Sequence, residues 1–295
     1  MKKLIISACA LLFLLTMPGC GAKIPANTAS GGKLKVCASF YTMYDFCEKI
    51  GGDRIDLTCL TPNGAEPHDW EPSPSDMITV EDADVFVYHG GIEFWADQVL
   101  AAVSGKGLTA VRASDAAVPG GIGDDPHVWL DPKLAKLELG AIKDAFAAAD
   151  PDNADFYEDN YTACAAEFDK LDAAYRDGLA SAAGKSIVAA HAAFGYLCAE
   201  YGLTQVAVEG LTPDSEPSAG RIAQIIDLMK SDGIKVIFAE PLSSSKAVDQ
   251  IAAATGAETE ILDPVEGLTA DEKANGDDYL SIMYRNLDAL EKALN

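Results

Sequence analysis

The chain has 295 residues, 49% of them hydrophobic and 23% charged, which is enough apolar material for one large domain or two ordinary ones and too much for a disordered chain. Its formal net charge is −24, from 46 acidic and 22 basic residues spread along the whole length. A surface of that sign repels nucleic acid and anionic membrane faces and draws cations only diffusely, so the acidity excludes partners rather than naming one.

The first residues are not part of a fold. A basic start at Lys2 and Lys3, an apolar run from Leu4 to Leu15 and a small-residue end make an export signal too short to be a membrane span. It closes on "MPGC", which resembles a bacterial lipoprotein signal, with Cys20 as the lipidated first residue of the mature chain. "AKIPANTASGGK" then reads as a flexible tether. Of seven cysteines, Cys37, Cys47, Cys59, Cys164 and Cys198 fall after the signal region. An odd number without short spacings is no disulfide framework, and buried free thiols are expected.

From there strand and helix signals alternate. "LKVCASF" (34–40) precedes a helix through Tyr44 and Ile50, and "RIDLTCLTP" (54–62) follows. "SPSD" opens a helix, with Ser73 as N-cap, Pro74 at the first helical position and Asp76 closing a capping box. "DVFVYHG" (84–90), a helix in "IEFWADQVLAAV" and "LTAVRAS" (108–114) complete the first set, before the loop "DAAVPGGIGDDPHVWLDP". A second set runs "KSIVAAH" (185–191), a helix in "AAFGYLCAEYGL", "TQVAVEG" (204–210), a helix starting at Ser218, "IKVIFAE" (234–240), "TEILDP" (259–264) and a final amphipathic helix. Alternating βα units of this kind build parallel sheets.

Between the sets, apolar residues recur at Tyr157, Tyr161, Cys164, Phe168, Leu171, Tyr175 and Leu179, spaced by three and four along one helical stripe. Asp150 and Pro151 start this helix and Gly184 ends it. About thirty residues at about 1.5 Å each make a rod of roughly 45 Å, long enough to join two lobes. The expected organisation is a signal peptide (1–19), a tether (20–32), an N-terminal α/β lobe (33–149), a linking helix (150–184) and a C-terminal α/β lobe (185–295), each lobe holding a four-stranded parallel sheet flanked by helices.

In parallel α/β sheets, ligands bind beyond the carboxyl ends of the strands. His68 follows the second strand, His127 the fourth, His191 ends the fifth and Asp263 ends the eighth, two from each half, so a cleft between lobes could gather all four. Three imidazoles and one carboxylate suit a tetrahedral divalent metal, and three ligands plus water would suit a catalytic one. Carboxylates that could orient the imidazoles are Glu66, Asp125, Glu209 and Glu240. His89 also ends a strand and is ranked as a non-ligand. There is no HExxH, no GxSxG and no phosphate-loop pattern, so the familiar zinc-protease, hydrolase and nucleotide motifs are missing.

The segments "PNGAEPHDWEPSPSD", "DPHVWLDP", "DPDNADFYEDNY", "AAHAAFGYLCAEYGL", "PDSEPSAGRIAQIIDLMK" and "IFAEP", in this order and spacing, resemble the metal-specific solute-binding lipoproteins of bacterial zinc/manganese ABC importers, from about Lys33 to the C-terminus. The resemblance implies two similar lobes joined by one rigid helix, with the metal in the cleft on His68, His127, His191 and Asp263. It implies no catalysis: the protein would be a monomer anchored by lipid at Cys20 outside the cell membrane, capturing a divalent ion and delivering it to an ABC permease. Relatives that take manganese tend to carry Glu at the third ligand position. His191 there, and a nitrogen-rich site, imply Zn2+ with Mn2+ as the alternative. A zinc hydrolase with an open coordination position and a lipoprotein adhesin are the rival expectations.

Overall fold

The structure is a computed structural model that describes residues 32–105, 107–213, 217–244 and 246–295. The signal segment, nearly all of the tether and the lipidation expected at Cys20 lie outside the described residues.

In chain order the first half holds β1 (Leu34–Ala38), α1 (Tyr41–Gly51), β2 (Ile55–Cys59), α2 (Pro74–Glu81), β3 (Val85–Tyr88), α3 (Ala96–Ala102), β4 (Thr109–Arg112) and α4 (Ser114–Ala117). Two helices follow, α5 (Pro132–Ala149) and α6 (Ala154–Leu179). The second half holds β5 (Ser186–Ala189), α7 (Gly195–Glu200), β6 (Thr204–Ala207), α8 (Ala219–Asp232), β7 (Val236–Ala239), α9 (Lys246–Thr255), β8 (Glu258–Ile261), α10 (Ala270–Asn275) and α11 (Tyr279–Leu294).

The strands form two parallel four-stranded sheets with the same plan, β2-β1-β3-β4 and β6-β5-β7-β8. Strands near the centre read as apolar runs (VFVY in β3, VIFA in β7) because helices cover both faces. Edge strands β4 (TAVR) and β8 (ETEI) carry charge and exposure, which discourages further pairing. The capping box at α2 forms as the sequence reads, with Ser73 and Asp76 each accepting from the other's backbone and Pro74 first in the helix.

The linking segment is less uniform than a single rod. A short 3-10 turn at Pro151–Asn153 precedes α6, and another at Ala180–Ala182 follows it. The 26 residues of α6 span about 39 Å. Asp150 does not cap it; its carboxylate accepts from the Tyr157 hydroxyl (2.9 Å) and the Asn153 side-chain amide (2.7 Å), holding the bend between α5 and α6. Helix α5 itself has no counterpart in the sequence reading, although Asp131 caps it by accepting from the Lys133 amide and Pro132 is its first residue.

One continuous core runs from the first half through α6 into the second. Phe46 packs edge-on against Phe168 at 5.8 Å, and Phe168 stacks on Tyr279 at 5.2 Å. The Tyr175 hydroxyl donates to the Met283 carbonyl at 2.7 Å. Residues Lys33–Asn295 accordingly form one compact unit, in which α6 is cemented to both halves. Cys37, Cys47, Cys59, Cys164 and Cys198 are free thiols.

Candidate metal centre

All but one of the candidate ligands sit on loops leaving the carboxyl ends of strands, where the backbone is free to turn their side chains toward a ligand. His68 lies on the loop from β2 to α2. His127 lies beyond α4 and begins the turn Val128–Leu130. His191 stands two residues past the end of β5, and the segment after β8 supplies the carboxylate.

Three imidazoles do converge. Among the described residues, one group of His, Cys, Asp and Glu side chains brings its ligand atoms within 4.8 Å of one another: His68, His127, His191 and Glu266. Glu266 Oε1 is 3.3 Å from His68 Nε2, 3.4 Å from His127 Nε2 and 3.7 Å from His191 Nε2, while the Nε2 atoms of His127 and His191 are 3.2 Å apart. A tetrahedral ion with bonds of about 2.0–2.1 Å has ligand atoms about 3.3–3.4 Å apart, within about 0.3 Å of these four distances.

Asp263, expected as the fourth ligand, is not in this group. Its Oδ1 accepts from the Val265 backbone at 2.7 Å, and its own backbone exchanges hydrogen bonds with the Asn286 side chain at 2.8 and 2.7 Å. Burial, with the Glu272 and Glu266 carboxylates adding to it, pushes the Asp263 carboxyl well above its ordinary range. Asp263 instead builds a turn. Val265 is held at φ +59°, in the left-handed region that β-branched residues avoid. Asp263 secures its amide and the Thr42 hydroxyl donates to its carbonyl. The Trp129 indole donates to the Pro264 carbonyl at 2.8 Å. This constrained turn carries Glu266 to the centre, three residues beyond the position the sequence suggested.

Carboxylates hold two of the imidazoles from behind. Asp125 Oδ1 accepts from both the backbone amide (3.0 Å) and Nδ1 (2.8 Å) of His127. Glu240 accepts from the His191 amide (3.0 Å) and Nδ1 (2.6 Å) with its two oxygens. In this tautomer each Nε2 turns a lone pair toward the centre. His68 is held differently: Glu66 accepts from its backbone at 3.2 Å, but the buried Nδ1 has no partner.

The charges respond to one another. Burial opposes the ionised form of Glu266, yet hydrogen bonds from His127 and His68 and the charge of His191 hold its carboxyl well below the usual range. Burial also opposes protonation of His191, but Glu240, then Glu266 and Glu66, carry it up to about 9. Glu66 is pushed up to about 8 by burial, then by Glu266 and Glu240. A site this rich in carboxylate and imidazole is built to hold positive charge, as a proton when metal-free or as a divalent cation.

His89 stands apart. It is fully buried, 3.0 Å from the equally buried Glu138, and packs against Phe40 and Trp129. The Trp129 ring packs against both it and His127, at centroid distances of 4.8 and 5.3 Å.

Known proteins resemble this chain over nearly all of its length. A family profile described as zinc-uptake complex component A, periplasmic (ZnuA) matches residues 36–293. The high-affinity zinc uptake system protein ZnuA of Bacillus subtilis (strain 168) is 38% identical over 310 residues, covering 98% of this chain and 96% of that protein. The zinc-binding lipoprotein AdcA of Streptococcus pneumoniae (strain R6) is 36% identical over 313 residues; the match takes in 99% of this chain but only 61% of AdcA. The crystal structure of the Zn(II)-bound ZnuA-like domain of that species' AdcA has a TM-score of 0.80 at 37% identity, covering 89% of this chain and 99% of the other.

Proposed function

The chain belongs to the family of zinc-uptake complex component A, periplasmic, and on that footing we propose that it is the extracytoplasmic receptor of an ABC importer, capturing Zn2+ and handing it to the membrane permease. The observation that carries this reading is the fourfold convergence of His68, His127, His191 and Glu266, whose ligand atoms lie within 4.8 Å of one another. In the proposed site all four donors come from the protein. Three nitrogens and one oxygen favour zinc over manganese, which prefers harder oxygen ligands.

The same donor set argues for carriage rather than catalysis. A zinc hydrolase keeps one position for water and a base beside it. Here Glu266 takes that corner, and Glu240 and Asp125 are occupied in orienting imidazoles. Anchoring by lipid at Cys20, a monomeric state, a tether to residue 32 and the lobes 33–149 and 185–295 about the linking segment 150–184 belong to the same reading. A lipid anchor would keep the receptor beside its permease.

The test is a competition titration of chelator-stripped protein, starting at Gly21, against a chromophoric chelator with Zn2+ and with Mn2+. One zinc per chain, bound far more tightly than manganese, is expected. Equal or tighter manganese binding would overturn the metal, and no tight binding of either would overturn the receptor reading.

A further inference from the structure

A sizeable cavity lies beside the metal centre rather than in it. It measures about 760 Å3 and runs between the loop after β2 and the start of α3. Trp70 and Trp95 form its walls, ring against edge at 5.4 Å. Asp69 and Glu71 stand exposed beside them, and no lysine or arginine is among the described residues lining it. Phe94, at its rim, is 78% exposed, an unusual display for a large aromatic side chain.

His68 and Phe94 belong to two surfaces at once. Both line this groove, and both line a smaller opening of about 280 Å3 bordered by Gly91 and Arg112 of the first half and Leu211 of the second. That opening reaches the metal centre through His68, so a partner that receives the ion has to sit over it. Such a partner covers Phe94 and meets the groove beyond.

We propose that this groove is the docking site for a segment of the membrane permease that carries an arginine or lysine next to apolar residues. The inference rests on the receptor reading above. Tryptophan faces attract guanidinium and ammonium groups, and tryptophan-lined pockets are where interfaces concentrate their binding energy. Asp69 and Glu71 complement the same cation and speed its approach. A segment seated there presses on the loop that carries His68. That ligand's side chain is 1% exposed, and its Nδ1, unlike those of His127 and His191, is held by no carboxylate. Docking and the hold on the metal therefore meet at one residue.

The experiment measures radioactive zinc uptake at limiting zinc in cells whose sole zinc receptor is this chain, with its own permease. Zinc affinity of each purified variant is measured alongside. Phe94→Asp, and separately the charge reversal Asp69→Lys with Glu71→Lys, are expected to cut uptake at least about tenfold while zinc affinity stays within about threefold. Leu137→Asp, at a 43% exposed position on α5 away from the groove, is expected to leave uptake unchanged. Undiminished uptake in both groove variants would overturn the proposal. So would a matching loss of zinc affinity in both, which would make the groove part of the metal site. The wild-type chain binding no zinc at all would instead mark failure of the receptor reading.

Discussion

The Nε2 atoms of His127 and His191 face each other at 3.2 Å, one brought from each half of the molecule. Asp125 and Glu240 accept from the opposite nitrogens at 2.8 and 2.6 Å. Two imidazoles so oriented oppose lone pair to lone pair, an arrangement that a shared proton or a cation relieves. With Glu266 3.4 and 3.7 Å from the same two atoms, the four-donor set matches a divalent ion better than a proton.

Glu266, the proposed fourth ligand, is separable from its neighbour in the turn. Glu266→Ala is expected to weaken zinc binding by at least about 100-fold, and to alter the visible spectrum of the Co2+-substituted protein as water replaces a carboxylate. Asp263→Ala removes the acceptor for the Val265 amide, so its main effect is a lower unfolding temperature. Zinc affinity surviving Glu266→Ala but lost in Asp263→Ala, with the fold intact, would restore Asp263 as the ligand.

Removing the outer carboxylates has graded effects. Glu240→Gln and Asp125→Asn are each expected to cost about 10–100-fold in zinc affinity, measured by chelator competition, without touching the metal. Glu240 is the more consequential, because it clamps both the ring and the backbone of His191 with separate oxygens. An unchanged affinity in both variants would mean that packing alone orients the rings.

Acidity acts oppositely on the two forms. His191 is raised from 6.5 to about 9 in the folded protein, so the stability it contributes to the metal-free form is complete below about pH 6.5 and is lost as pH climbs through 9. Glu66, raised from 4.5 to about 8, has the same sign: its contribution is complete below about pH 4.5 and is lost as pH climbs through 8. Thermal unfolding of metal-free protein is therefore expected to fall between pH 6.5 and 9. Zinc affinity rises over that interval, since binding displaces the His191 proton. A metal-free unfolding temperature that climbs with pH here would contradict the charge assignment.

His89 offers a separation of fold from function. His89→Leu leaves Glu138 a buried carboxylate without its neighbour and is expected to destabilise the chain by roughly 3 kcal/mol in urea unfolding. Zinc affinity is expected to change less than about threefold, because His89 is outside the four-donor group and His127 and His191 keep their own carboxylates. A large loss of affinity at unchanged stability would place His89 in the metal centre.

Much of this was legible in the residues themselves. The α2 capping box, the eight strands and the apolar stripe of α6 follow from local rules about caps, periodicity and burial. His68, His127 and His191 could be singled out because each lies where a strand ends and imidazoles are scarce. Helix α5 escaped although Asp131-Pro132 is a cap followed by a first-turn proline, a signal masked by reading "DPHVWLDP" as loop to its end. Asp150 looked like the cap of α6 but serves the bend before it, because only the packed Tyr157 hydroxyl shows where its carboxylate turns.

By itself the sequence determined two βα sets, a long helix between them and three imidazoles at strand ends, since all of these depend on local pattern and on the rule that ligands gather at the carboxyl edge. Only the tertiary structure decided which carboxylate completes the centre. Asp263 and Glu266 are three residues apart and equally able as ligands. Which of them faces inward depends on Val265 adopting a left-handed backbone that Thr42, Trp129 and Asn286, all distant in the chain, hold in place.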